Sequence, residues 1–314
     1  MIRKIGFFHD SLYTLRSKIA SNTDRALRMH SVFVHATAVR RIKKNIDSSG
    51  KIRYNIFNNR TTLGDSIMKK FLIILIAVIA VLVAAFLTVF ILAKTKVIFI
   101  NEWFVNKNNS TIGVDISSYQ ANVDMQKLKE QDVRFVYIKA TEGSTLQDDK
   151  FAVNWANADK AGLPCGAYHF FSFDSPGSTQ AENYIKTVGD DLKGRLLPVV
   201  DVEYYGDKKN DPPAKEDVVR ELTVFLNTLE AHYGTKPMIY TGAEIHDKYL
   251  QDLSGTYKMW ISSFYTPLSW NYHGDWYIWQ YLNRGTLEGY RGGEKYIDLN
   301  VLNKEKELND LIIK

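Results

Sequence analysis

The pattern of apolar and polar positions divides the chain into one unbroken apolar run and a longer region of short alternating elements. The run FLIILIAVIAVLVAAFLTVFILA, residues 71–93, contains no charge and a single Thr. At a helical rise of about 1.5 Å per residue it is long enough to cross a hydrocarbon core of about 30 Å. The pattern therefore predicts one transmembrane helix. Its length favours a retained anchor over a cleaved signal peptide, whose apolar region is about 7–15 residues.

After residue 110, short apolar or β-branched segments alternate with amphipathic segments. The predicted strands are 112–117, 134–140, 164–171, 196–203, 236–241, 257–262, 275–281 and 296–300. The predicted helices are 123–131, 148–162, 179–189 and 215–234, and Gly162 is expected to end the second of them. Eight strands, with helices between the first five, predict an α/β fold: a TIM-like β/α barrel that is irregular in its last strands.

Charge separates the same regions. Residues 1–67 hold 13 Lys and Arg against 4 Asp and Glu, whereas residues 101–314 hold 23 against 31. An acidic C-terminal part argues against nucleic-acid binding. The predicted domains are a basic extension at 1–67, a transmembrane signal-anchor at 68–94, a juxtamembrane linker at 95–110 and the barrel at 111–314. The extension is expected to be disordered, or to precede a true start at Met68, because MKKFLIILIAV is typical of the start of an exported bacterial protein.

Acidic residues follow apolar segments at Asp115, Asp201, Glu203 and Asp298. In a β/α barrel, chemistry takes place at the carboxyl ends of the strands, so we expect the four acids to meet at one mouth. Asp201 and Glu203 are two residues apart and project to one face of a strand. Neighbouring carboxylates raise each other's pKa, so one can keep its proton while the other is ionised, as glycosidic cleavage requires. A helix cap or a solvated strand end is the alternative explanation for each acid taken alone.

Aromatic residues are frequent at the same strand ends, and flat aromatic surfaces stack on the C–H faces of sugar rings. We expect about half of them to contact a ligand and the rest to be core. The set comprises Tyr119, Tyr168, Phe170, Tyr204, Tyr205, Tyr240, Trp260, Tyr265, Trp279 and Tyr281. His169 and His246 are interpreted as framework residues, and Cys165 as a small buried residue of the third strand. No Cys/His spacing indicates zinc, and acid–base hydrolysis requires no cofactor.

The segments GVDISSYQ, FVYIKATEG, AGLPCGAYHFF, LPVVDVE, PMIYTG, MWISSFY, WYIWQY and DLN occur in this order. Together they resemble glycoside hydrolase family 25, the Chalaropsis-type lysozymes, over about residues 111–303. The resemblance implies a β/α barrel that cleaves the β-1,4 bond between N-acetylmuramic acid and N-acetylglucosamine in peptidoglycan. The segment QANVDM departs from the QGxIDW common in the family, which bears on packing and the groove rim and leaves the four acids intact.

The resemblance also implies roles for individual residues. Glu203 would be the general acid, and Asp201 would either orient the 2-acetamido group of the substrate or stabilise a charged intermediate. Asp115 and Asp298 would line the site. The residues expected to bind sugar are Tyr168, Trp279 and Gln280 from the resemblance, joined by Tyr119, Tyr240 and Trp260 from the aromatic pattern.

Two alternatives are weighed against a muramidase. A chitinase-like barrel also uses strand-end acids, but it usually has a further Asp two residues before the pair, where this chain has Val199. A non-catalytic wall-binding protein on an inactivated barrel is disfavoured because all four acids are present. The expected location is the bacterial cell membrane, with a single span and the barrel outside the cytoplasm. Lys69 and Lys70 before the span, and Lys94 and Lys96 after it, give little local charge bias.

Overall fold

The computed structural model describes residues 41–46, 52–57, 62–95, 98, 100–105 and 110–314. The chain divides into two compact units, Met1–Thr88 and Val89–Lys314. Most of the predicted N-terminal extension and part of the predicted linker lie outside the described residues. Disorder or mis-assignment of the extension therefore stays a prediction.

The first unit contains two strands that the sequence pattern did not predict. Strand β1 (Arg41–Ile46) pairs antiparallel with β2 (Ile52–Phe57), with Arg41 opposite Phe57. A 33-residue helix, Thr62–Lys94, follows them and contains the apolar run. Its segment Ile67–Leu92 is long and apolar enough to cross a membrane, by length and composition alone.

The second unit is built on a sheet that closes on itself. Its strands are β3 (Ile112–Ile116), β4 (Val133–Glu142), β5 (Leu146–Gln147), β6 (Cys165–Phe170), β7 (Val199–Val202), β8 (Met238–Gly242), β9 (Met259–Ser262), β10 (Ile278–Gly285) and β11 (Ile297–Leu302). The order is β3-β11-β10-β9-β8-β7-β6-β4, and β3 pairs with β4 to complete a barrel-like ring of eight strands. The two-residue β5 pairs only with the end of β4. All eight strands expected from the pattern are present.

Neighbouring strands are parallel around most of the ring, and β11 is antiparallel to both β10 and β3. Helices Met125–Glu130, Phe151–Ala161, Gly177–Val188 and Lys215–Tyr233 connect the strands of the first half. Shorter turns serve the second half: Ala243–Ile245 continuing as His246–Leu250, and Leu268–Asn271. The sheet is therefore mixed, and the expected irregularity of the last strands is present.

Alternation along the strands creates two hydrophobic layers. Side chains such as Val200 and Val202 face the helices, whereas Val199 belongs to a smaller cluster inside the ring with Phe135 and Tyr137. Room for these rings comes from glycine at the paired position of each neighbouring strand. A Cβ on Gly113 would lie 2.2 Å from the Phe135 ring, and one on Gly166 would lie 2.4 Å from Tyr137. The lower interior is thus filled with apolar side chains, and the polar inward residues lie above it.

The second unit begins before the predicted boundary at residue 111. Ile100–Trp103 form a 3-10 turn, and the side chain of Asn101 is fully buried. Its Nδ2 donates to the carbonyl oxygens of Ser263 at 2.6 Å and Tyr281 at 3.2 Å. This part of the expected linker is therefore attached to the barrel, because a buried amide needs partners of this kind.

Candidate active site

A cleft of about 390 Å³ opens at the carboxyl ends of the parallel strands. All four acids predicted from the sequence line it. The other lining residues are Ile116, Ser117, Tyr119, Gln120, Lys139, Tyr168, Phe170, Val199, Tyr240, Trp260, Phe264, Gln280, Asn283, Glu294 and Tyr296. The wall contains both polar groups and aromatic rings, as in a pocket that binds a polar ligand with flat apolar surfaces.

Asp115 and Asp298 reach the cleft from strands of opposite direction. They are direct partners in the antiparallel pairing of β3 with β11. Asp298 is the second residue of β11, so the expectation that it ends a strand is wrong. It still lies at the common mouth because β11 is reversed, which puts its amino-terminal end beside the carboxyl ends of its neighbours.

Asp201 and Glu203 reach the cleft from one face of β7. Val199, Asp201 and Glu203 all line the cleft, as spacing by two residues requires. Asp201 is only 8% exposed, and its Oδ1 has no hydrogen-bond partner among the described residues. Glu203 directly follows the strand. A buried carboxylate oxygen without a donor is costly, so it marks a place where a ligand can supply one.

Burial dominates the electrostatics of the four acids. The pKa of Glu203 is raised to about 7, mainly by burial; a hydrogen bond donated by Tyr240 would lower it, and the charge of Asp115 contributes to the rise. Burial raises the pKa of Asp201 well above its usual range, with the charges of Glu203 and Asp115 adding to the effect. Burial and the neighbouring Asp115 raise the pKa of Asp298 to about 9. The cluster therefore retains protons near neutral pH that isolated carboxylates would lose.

A chain of side-chain hydrogen bonds crosses the mouth. Trp260 Nε1 donates to Asn300 Oδ1 at 2.9 Å. Asp115 Oδ1 accepts from Asn300 Nδ2 and from Gln280 Nε2, both at 2.7 Å. Tyr240 Oη lies 2.6 Å from Gln280 Oε1 and 3.3 Å from Glu203 Oε1. Asp115 and Glu203 are thus connected through the side chains of β8 and β10.

Half of the aromatic residues singled out in the sequence line the cleft, and their contact with a ligand stays a prediction. They are Tyr119, Tyr168, Phe170, Tyr240 and Trp260. Tyr119 is 68% exposed at the rim, whereas Trp260 is 2% exposed at the base, with its ring centroid 4.9 Å from that of Tyr240. The cleft therefore presents one solvent-facing aromatic surface and a rigid aromatic floor.

Trp279 is not in the cleft, and its predicted contact with sugar is corrected. It packs in the layer between sheet and helices, and its Nε1 donates to the carbonyl oxygen of Ser263 at 3.0 Å. Gln280 lines the cleft, and the preceding residue of the same strand must point the other way. Tyr281 likewise belongs to the outer layer.

Lys139, which lines the cleft, and Asn300, which bonds the lining residue Asp115, were not singled out in the sequence. Lys139 brings a positive charge to the wall, and its Nζ lies 2.6 Å from Glu142 Oε2. Asn300 holds Asp115 as described. The signal for both was strand alternation: Lys139 is two residues after the inward Tyr137, and Asn300 two after Asp298.

Several residues outside the cleft support the fold rather than line the site. His169 is fully buried between Thr141 Oγ1 at 2.7 Å and Gln180 Oε1 at 3.0 Å. Burial lowers the pKa of His169 to about 4, so it is a neutral framework residue as predicted. Cys165 is buried in its strand, also as predicted. Among the described residues, no group of His, Cys, Asp and Glu forms a metal site.

An acid that holds its proton near neutral pH, set among buried carboxylates at an aromatic-lined cleft, defines a glycoside hydrolase. Comparison with known proteins narrows this class. The profile of the glycosyl hydrolases family 25 matches residues 114–290, more than half of the chain. The chain belongs to this family.

Individual relatives agree with this assignment. The uncharacterized protein YegX of Escherichia coli K12 is 35% identical over 61% of this chain and 69% of its own length. Lysozyme M1 of Streptomyces globisporus is 27% identical over 61% of this chain and 67% of its own. The structure of a family 25 glycosyl hydrolase from Bacillus anthracis is 48% identical, with a TM-score of 0.58 over 64% of this chain and 94% of that one.

Proposed function

We propose that the chain is a peptidoglycan hydrolase that cleaves the β-1,4 bond between N-acetylmuramic acid and N-acetylglucosamine. The observation that carries this proposal is Glu203, a cleft carboxyl whose pKa is raised to about 7, next to the buried Asp201. Membership of family 25 and the likeness to a lysozyme support the choice of peptidoglycan as substrate.

Glu203 is assigned as the general acid. Its proton passes to the bridging oxygen while the bond from that oxygen to the sugar C1 breaks, and positive charge develops at C1. Asp201 then assists. Its unpartnered Oδ1 is suited to accept the N–H of the 2-acetamido group, whose carbonyl oxygen closes on C1. The Glu203 carboxylate finally takes a proton from water as the water oxygen bonds to C1. The bond between C1 and the acetamido oxygen breaks at the same time, which restores the 2-acetamido group.

The remaining cleft residues are assigned to binding and support. Asp115 accepts from the amides of Gln280 and Asn300, and Asp298 is hydrogen-bonded to Asp115. Tyr119, at the open rim, is placed to stack on a sugar ring. The deeper lining residues Tyr168, Tyr240, Trp260 and Gln280 shape the subsite around the scissile bond.

The apolar helix suggests where this reaction takes place. We infer that Ile67–Leu92 is a single-pass anchor and that the barrel lies outside the cytoplasm, where peptidoglycan is found. A tether of this kind raises the local concentration of an enzyme at its substrate. We also infer that the barrel is an irregular member of the TIM-like class, since Asp115, Asp201 and Glu203 lie at the carboxyl ends of parallel strands and only Asp298 comes from the reversed strand β11.

The proposal is tested with the full chain in detergent micelles and purified bacterial peptidoglycan. New reducing ends of N-acetylmuramic acid, identified by mass spectrometry, are the expected product. Glu203→Gln is the matched inactive control, and it should still sediment with peptidoglycan. Reducing ends of N-acetylglucosamine would point to a different bond, cleavage of chitin oligomers alone to a chitinase, and binding without cleavage to a non-catalytic wall protein.

A further inference from the structure

We propose that Gln280 is a positioning residue that turns the hydroxyl proton of Tyr240 away from Glu203, so that Tyr240 accepts a hydrogen bond from the protonated acid. This inference rests on the proposed role of Glu203 as proton donor. It follows from the direction that each hydrogen bond in the chain across the cleft must have.

The direction is fixed at one end by a group that can only donate. The indole Nε1 of Trp260 has a hydrogen and no acceptor capacity. Its partner 2.9 Å away on Asn300 is therefore the amide oxygen, which settles the orientation of that amide. Asn300 must then present its Nδ2 hydrogens to Asp115 Oδ1. Asp115 Oδ1 thus accepts a hydrogen bond from Asn300, and the same carboxyl accepts a further one from Asp298.

The same oxygen determines the orientation of Gln280. An acceptor at Asp115 Oδ1 requires a donor 2.7 Å away, so Gln280 presents Nε2 there. Its Oε1 consequently faces Tyr240, at 2.6 Å. Because an amide oxygen cannot donate, the Tyr240 hydroxyl supplies the hydrogen of this short bond.

A phenol hydroxyl has one hydrogen, and the Tyr240 hydroxyl donates it to Gln280 Oε1 in a hydrogen bond. Tyr240 therefore turns lone pairs toward Glu203 Oε1, 3.3 Å away. A protonated Glu203 can donate across this distance, whereas an ionised Glu203 would face another electron-rich oxygen. The contact thus favours the protonated acid before reaction. After the proton has left, it makes the Glu203 carboxylate a stronger base toward the incoming water.

Other charged or titratable groups face Glu203 from the surrounding strands. They are Asp115 on β3, Lys139 on β4, Tyr168 on β6, Asp201 on β7, Tyr240 on β8 and Asp298 on β11. Removing the Tyr240 hydroxyl leaves the other five groups unchanged. The direction in which the pKa of Glu203 shifts therefore reports the contact between Tyr240 and Glu203.

The test is the pH dependence of kcat/KM for Tyr240→Phe and Gln280→Met in the full chain, since its basic limb reports the free-enzyme acid. Both variants should shift the basic limb to lower pH, by on the order of half to one pH unit, the worth of one hydrogen bond. The phenyl ring offers Glu203 no acceptor, and without Gln280 the Tyr240 proton is free to turn to the carboxylate. An upward shift or no shift in Tyr240→Phe would overturn the proposal.

Direct titration separates this inference from the proposed function. The pKa of Glu203, followed by NMR of 13C-carboxyl-labelled glutamate and assigned with Glu203→Gln, should fall in both variants whether or not peptidoglycan is cleaved. Tyr204→Phe is the matched control, because its hydroxyl bonds Tyr249 away from the cleft lining. If one variant does not fold, the other still tests the proposal, because each variant removes a different hydrogen bond from the network across the cleft. Loss of stability with an unchanged Glu203 titration would leave Gln280 a structural residue and refute the proposal.

Discussion

The raised pKa of Glu203 predicts that the wild-type protein loses stability in a definite pH range. The folded pKa is about 7 and the ordinary value is 4.5. A carboxyl that binds its proton more tightly in the folded state stabilises that state below the ordinary value. This contribution is lost as the pH rises through 4.5 toward 7, and the loss is complete above the folded value.

Glu203→Gln removes this dependence because an amide stays neutral at every pH. A difference of about 2.5 pKa units corresponds to about 3 kcal/mol. The variant should match the wild type near pH 4 and be more stable by up to about 3 kcal/mol at pH 8. For a domain of this size, that is about 6–12 °C in Tm. The same variant should lose roughly 10²- to 10⁴-fold in kcat, the usual contribution of a general acid.

Thermal unfolding of the full chain in detergent, followed by circular dichroism at pH 4 and pH 8, measures the effect. Glu305→Gln is the control, since it neutralises an exposed carboxylate and should follow the wild type at both pH values. Equal stabilisation by Glu203→Gln at both pH values, or destabilisation at pH 8, would refute the reasoning from burial. Retained activity would refute the assignment of Glu203 as the acid.

Three further variants test other parts of the structure. Asp201→Asn should lower kcat by roughly 10²-fold with little change in KM, as measured by release of reducing ends, because an amide oxygen supports the acetamido N–H less well than a carboxyl as that group closes on C1. Gly113→Ala should destabilise the fold by about 1–3 kcal/mol in urea unfolding, because its Cβ would overlap the Phe135 ring. Trp279→Phe should cost about 1 kcal/mol of stability through the lost bond to Ser263, and unchanged kcat/KM would agree with its position outside the cleft.

The strands and the convergence of the acids were predictable because both depend on local patterns. An apolar segment followed by an acid predicts a buried strand whose end lies at the mouth of the barrel. A spacing of two residues places Asp201 and Glu203 on one face of that strand. The direction of β11 was not predictable in this way. A strand of alternating residues has the same pattern whichever way it runs. The long loop after β10 is compatible with either a parallel or an antiparallel β11. Only the pairing of Asp298 with Asp115 reveals the reversal.

The error at Trp279 came from treating neighbours in sequence as neighbours in space. Consecutive residues of a strand face opposite sides, so a strand that gives Gln280 to the cleft must give Trp279 to the outer layer. Asn101 is a different case. Its partners are more than 160 positions away at Ser263 and Tyr281, and nothing in the local sequence indicates them.

The charge balance of the cleft explains why its acids share protons rather than form ion pairs. Five carboxyls line the wall, the four predicted acids and Glu294, and Lys139 brings a cation close to them. The Lys139 ammonium is held 2.6 Å from Glu142, at the end of the same strand, and this bond limits its effect on Asp201. If Lys139 paired with Asp201 instead, the pKa of Asp201 would fall. Asp201 would then be ionised over a wider pH range, and its repulsion of an ionised Glu203 would depend less on pH. Because Lys139 bonds Glu142, burial remains the main influence on which acids are protonated. Burial favours the protonated Glu203 that the proposed reaction needs.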